Sequence, residues 1–204
     1  MKNLEKTLRS VSENPKYIFR LTVQGVLVGF FAGLMVCLYR WLLAGSESVL
    51  RGYLSIIKGN IFFIVLFFIV LAILGLLIDW LTKWEADSAG SGIPQVYAEV
   101  KGHMEANWAK VLFSKVVSGV LTAIGGLSLG PEGPSVQIGG MAGKGIAKIF
   151  KGSKTDELRL ILVGSAVGIT AAFNAPLAGV IFVFEEINRS EEHTSELQSR
   201  SAIS

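Results

Sequence analysis

The sequence predicts an all-α polytopic membrane protein, and three observations carry that expectation. Only 17% of the 204 residues are charged, against about 25% in a soluble domain. No Asp, Glu, Lys or Arg occurs from Leu21 to Tyr39, from Gly59 to Ile78 or from Leu160 to Phe184, runs of 19, 20 and 25 residues; roughly 20 apolar residues cross a bilayer. Glycine accounts for 23 residues, which suits helices packed closely in lipid. The net charge of +3 comes without a basic stripe interleaved with aromatics, so nucleic acid is not an expected partner. A single cysteine, Cys37, excludes an internal disulfide framework.

The elements follow in order. Lys2, Lys6, Arg9, Lys16 and Arg20 precede the first apolar run, which places the N-terminus in the cytoplasm. That run is too long for the core of a cleaved signal peptide and lacks a small-residue cleavage site. A first span is expected from Tyr17 to Leu43, with Gly25, Gly29 and Gly33 lining one face for close helix contact. A second runs from Ile61 to Leu81 and ends near Asp79, Trp80 and Trp84, side chains suited to the headgroup level. Residues 83–110 are mixed: a turn at Gly90-Ser91-Gly92-Ile93-Pro94 precedes a short amphipathic stretch to Val100. A third span is expected from Trp108 to Leu127 with Lys115 inside it. After a break at Gly130-Pro131-Glu132-Gly133-Pro134, residues Ser135 to Phe150 read as helix. Lys144, Lys148, Lys151, Lys154 and Arg159 then put the following loop back in the cytoplasm. The last apolar run is interrupted at Asn174-Ala175-Pro176, since proline lacks a donor and disfavours helix in the residue before it. Two half-helices, entering and returning, are expected there. The string from Arg189 to Ser199 looks like translated adapter DNA, and 188–204 reads as a non-native tail.

The breaks carry the chemistry. Non-helical backbone at membrane depth is tolerated where it is buried in protein or lines a polar cavity. Each break exposes the first N–H groups of the next helix, and with the helix dipole these favour an anion. Glu132 sits among such groups, and an intramembrane carboxylate is a functional candidate by default. It could occupy the place of an anion and leave on protonation, or it could simply complement the dipole as a first-turn acid. Ser91 is either a hydroxyl donor for a partly dehydrated halide or an ordinary turn residue. Glu185 and Glu186 are helix neighbours that point apart, so at most one faces a pathway; both could also be solvated helix-end acids. Lys115 either snorkels to the interface or adds positive potential to a pathway. Gly139 to Gly145 resembles a phosphate loop only superficially, because Ile138 and Gly145 stand where glycine and Ser or Thr are required. With His103 and His193 the only histidines, neither a His-based zinc site nor a catalytic triad is expected. No enzyme activity is expected.

Three strings resemble the CLC family of chloride channels and proton-coupled chloride exchangers. They are Gly90-Ser91-Gly92-Ile93-Pro94, then Gly130-Pro131-Glu132-Gly133-Pro134-Ser135-Val136-Gln137-Ile138-Gly139-Gly140, and Gly164 to Ala172 leading into Phe173-Asn174-Ala175-Pro176-Leu177-Ala178-Gly179. The resemblance runs from Tyr17 to Ile187 and implies the first inverted-repeat half of a CLC-type transporter, truncated near residue 188, with broken and re-entrant helices. It implies that Ser91, Gly92, Ile93, Glu132 and Gly133 bind chloride, that Glu132 is the gating glutamate and that Glu186 is the internal proton glutamate. Lys115, Pro131, Asn174 and Pro176 would support the site. Position 131 is usually Lys or Arg in this motif, so Pro131 removes a cation and a backbone donor. The resemblance further implies a multi-pass homodimer in a cell membrane, with chloride and protons as transported ions and no cofactor. A passive voltage-gated chloride channel and a non-transporting membrane scaffold are the alternatives. Glutamates at both 132 and 186 favour exchange, because a transported proton needs titratable stations.

Overall fold

A computed structural model describes residues 15–57, 61–127, 129–182 and 184–185. Its helices are α1 (Pro15–Ile57), α2 (Ile61–Trp84), α3 (Ile93–Val100), α4 (Trp108–Ile124), α5 (Glu132–Ile149) and α6 (Lys154–Phe173), with a 3₁₀ turn at Ala86–Ser88. Residues 176–182 and 184–185 are helical again. No strand occurs among the described residues.

α1 is far longer than the expected span to Leu43. Its 43 residues reach roughly 64 Å at 1.5 Å per residue, about twice a hydrocarbon core of ~30 Å. No proline interrupts residues 44–57, and the Glu47–Arg51 pair supports the helix at four-residue spacing. α1 and α2 are both long and apolar enough to cross a membrane, with mean hydropathies of 2.1 and 3.5. Phe62, Val65, Phe68, Ile69 and Leu76 of α2 are exposed, a surface suited to lipid.

The glycines of α1 do not make the expected contact. A Cβ at Gly25 or Gly29 would meet nothing within 4 Å, and one at Gly33 only a methyl of Val167. The buried stripe of α1 is Gln24, Val28, Ala32 and Val36, one residue earlier and therefore about 100° around the helix. Close approach belongs instead to α5 and α6. A Cβ at Gly139 would strike the carbonyl of Gly164, one at Gly164 the carbonyl of Gly139, one at Gly143 that of Leu160, and one at Gly168 that of Ser135. These pairs descend on α6 as they ascend on α5, so the two helices form an antiparallel hairpin with backbone against backbone. Gly139→Ala is expected to destabilise the protein by about 1 to 3 kcal/mol through overpacking. Gly25→Ala should be neutral or stabilising, since it adds helix propensity in open space. Thermal unfolding of the two variants in detergent measures the contrast.

At the end of the molecule where α1 begins, the Tyr17 hydroxyl donates to Asp156 Oδ1 at 2.5 Å and Arg20 pairs with Oδ2 at 2.7 Å. Arg159 donates to the Tyr17 hydroxyl at 2.6 Å. Ser153 and Asp156 form a capping box that starts α6. Residues 17–20 and 153–159 thus lie on one side, as an even number of crossings between them requires. Lys144 does not belong with the loop cations: it is completely buried within α5 and ion-paired to Glu99. Asn174, in the left-handed region at φ 53°, ends α6. The chain then turns back, with Gly179 against Ala166 and Thr170.

Candidate functional site

α3 begins at a turn that only glycine makes readily, because Gly90 and Gly92 have φ of +69° and +99°. Ser91 stands exposed between them. Gly92 backs directly onto α5, where a Cβ would lie 2.7 Å from Gln137 Cβ. A Cβ at Gly133 would lie 2.6 Å from the Ser91 carbonyl oxygen and 3.1 Å from Ser91 Cβ. The two glycine-bounded breaks therefore meet, and the N-termini of α3 and α5 adjoin. Both present first-turn N–H groups that have no partner within their own helix.

The loop before α3 is held from below. Lys115 Nζ, buried in α4, donates to the carbonyls of Ser88 at 2.9 Å and Gly90 at 2.7 Å. It neither snorkels nor stands free in a pathway; its positive charge is fixed beneath the Ser91 turn. Gln137 Nε2 donates to the Asp87 carbonyl at 2.7 Å, Gln95 Nε2 donates to the Ala89 carbonyl at 2.7 Å, and the hydroxyls of Ser88 and Ser114 are 2.8 Å apart. The motif readings did not assign these positions a role in holding the turn. For Gln137 a signal existed, since an amide between Val136 and Ile138 in a glycine-rich stretch needs a partner.

α5 starts at Glu132 rather than Ser135, with Pro131 at the N-cap. Pro134 is tolerated there because first-turn N–H groups are unpaired in any helix. Glu132 is thus a first-turn acid, half-buried, its carboxylate folded over Gly130. Ile93 and Pro94 form the exposed first turn of α3. Asn174 and Pro176 mark the turn after α6. Glu185 is exposed. Glu186 and the tail 188–204 lie outside the described residues.

A cleft of about 670 Å³ opens beside this junction, lined among others by Arg40, Glu47, Arg51, Leu129, Gly130 and Pro131. Arg40 also donates to the Ala171 carbonyl near the end of α6. α1 thus brings Arg40 to the wall where Pro131 contributes no cation, together with Arg51, whose charge is paired to Glu47.

The fold is that of a helical membrane protein whose broken helices bring two N-termini together at Ser91 and Glu132. Residues 74–202 match the family described as voltage gated chloride channel, and the chain belongs to it. The structure is similar to the crystal structure of a slow cyanobacterial Cl⁻/H⁺ antiporter, with a TM-score of 0.71 and 30% sequence identity over 79% of this chain. The match spans 38% of that antiporter's length.

Proposed function

We propose that this chain contributes the first part of a chloride transporter that exchanges chloride for protons across a cell membrane as a homodimer, with its N-terminus in the cytoplasm. The observation that carries the reading is the meeting of the Ser91 turn with Gly133 at the start of the Glu132 helix. Two helix N-termini there supply N–H donors and the positive ends of two dipoles, and Ser91 supplies a hydroxyl. Lys115 fixes a full positive charge one layer below. Exchange rather than passive flow is supported by the glutamate at the same junction, which competes with the anion when ionised and yields when protonated. Glu186 would be the second proton station. The likeness to a Cl⁻/H⁺ antiporter and the match to the chloride channel family support chloride as the transported ion.

The test is flux. The complete protein in liposomes under a chloride gradient should move protons against chloride and shift the internal pH, whereas a channel would pass chloride with no coupled proton movement. The 204-residue chain alone should show no chloride efflux above empty liposomes, because an inverted-repeat site needs walls from both halves.

A further inference from the structure

We propose that Lys144 and Glu99 form a buried clamp that sets the axial register of α3 on α5 and so positions the Ser91 turn against Gly133, an inference resting on the anion-site reading above. Gly133, Gln137, Gly140 and Lys144 are spaced by four, three and four residues and therefore share one face of α5. α3 lies along that face in order. Gly133 meets Ser91, Gln137 backs Gly92, a Cβ at Gly140 would lie 3.4 Å from Val96 Cγ2, and Lys144 pairs with Glu99. The partners ascend together on both helices, so α3 and α5 run parallel with their N-termini at the same end.

This rail indexes register poorly by itself. Two of its four positions are glycine, and α3 has only eight residues, too few to be a stable helix without docking. Polar fastenings at its ends do the indexing. At the Ser91 end Gln137 holds the Asp87 carbonyl. At the far end the Lys144 ammonium contacts a Glu99 oxygen, donates to the Ala106 carbonyl at 2.6 Å and lies 3.9 Å from Glu157 Oε1. Lys144 and Glu99 are both 0% exposed, and Glu99 Oε2 has no hydrogen-bond partner. A fully buried ion pair gains little over an apolar pair of similar volume in stability, because desolvation offsets attraction. Directional fixing of one element on another is a use that an apolar pair does not replace.

The two roles separate in a set of variants of the complete protein. Lys144→Met should lower the thermal midpoint, raise amide hydrogen exchange in residues 88–96, and raise the chloride KM roughly tenfold or more, since it leaves a buried carboxyl unpaired. Glu99→Leu combined with Lys144→Met should recover the thermal midpoint yet keep the raised exchange and KM. Lys144→Arg, which keeps the cation, should show wild-type exchange at 88–96 and wild-type KM. A double apolar variant with wild-type exchange at 88–96 and wild-type KM would overturn the clamp and reduce the pair to packing. If Lys144→Met does not fold, the double variant still decides. Absent chloride flux in the wild type would sink the transport reading, and exchange at 88–96 in the double variant would then decide the clamp alone.

Discussion

Glu132→Gln in the complete protein is expected to bring proton coupling to background while chloride movement persists. The carboxylate stands in the first turn of α5, folded over Gly130, where the helix dipole and the free N–H groups favour a negative charge. An anion at the same junction would be favoured by the same groups, so the two compete for one place. Glutamine keeps the size of the side chain and removes both its charge and its titration, as permanent protonation would. The anion then has no competitor, and no proton is carried. Simultaneous recording of chloride efflux and internal pH in liposomes reads both quantities. Loss of both fluxes in a variant that folds normally would make Glu132 a helix cap and nothing more.

Glu186→Gln is expected to stop proton transport with chloride flux retained, whereas Glu185→Gln should leave the coupling ratio near wild type. Successive residues on a helix point about 100° apart, so a route lined by one does not receive the other. Glu185 is exposed, and the family resemblance selects Glu186. Glu185 follows the returning stretch from Pro176, and with a cytoplasmic N-terminus the expected crossing parity would put both glutamates on the cytoplasmic side. The pathway member would load protons from inside and Glu132 would release them farther out. Equal behaviour of the two variants, or intact coupling in Glu186→Gln, would leave the channel reading in place of the exchanger.

What the sequence made legible was the breaks, because glycine and proline act locally. The Gly90–Pro94 turn, the helix to Val100 and the reversal at Asn174 fall where those residues put them. What stayed hidden depends on distant partners. Gly25, Gly29 and Gly33 have the same four-residue spacing as Gly139 and Gly143, and only the presence of Gly164 and Leu160 opposite the second set makes it a contact seam. Lys144 resembles its neighbours Lys148 and Lys151 in sequence, yet Glu99, 45 positions earlier, holds it inside the protein. Pro131 looks like the loss of a cation until α1 brings Arg40 to the same cleft. At the candidate site, the strings containing Ser91 and Glu132 were readable one by one. Their adjacency was implied only by the family resemblance, and the Lys115, Gln137 and Ser114 fastenings under the turn required the fold.

If the Ser91 turn and the start of the Glu132 helix together hold an anion, bromide will occupy that junction. Bromide can replace chloride in such a site and scatters anomalously. Crystals of the complete protein grown in bromide should show an anomalous peak within hydrogen-bonding reach of Ser91 Oγ and the first N–H groups of α3 and α5, and the peak should weaken when chloride is restored. A map with no bromide at that junction, in a protein that transports chloride, would contradict the account.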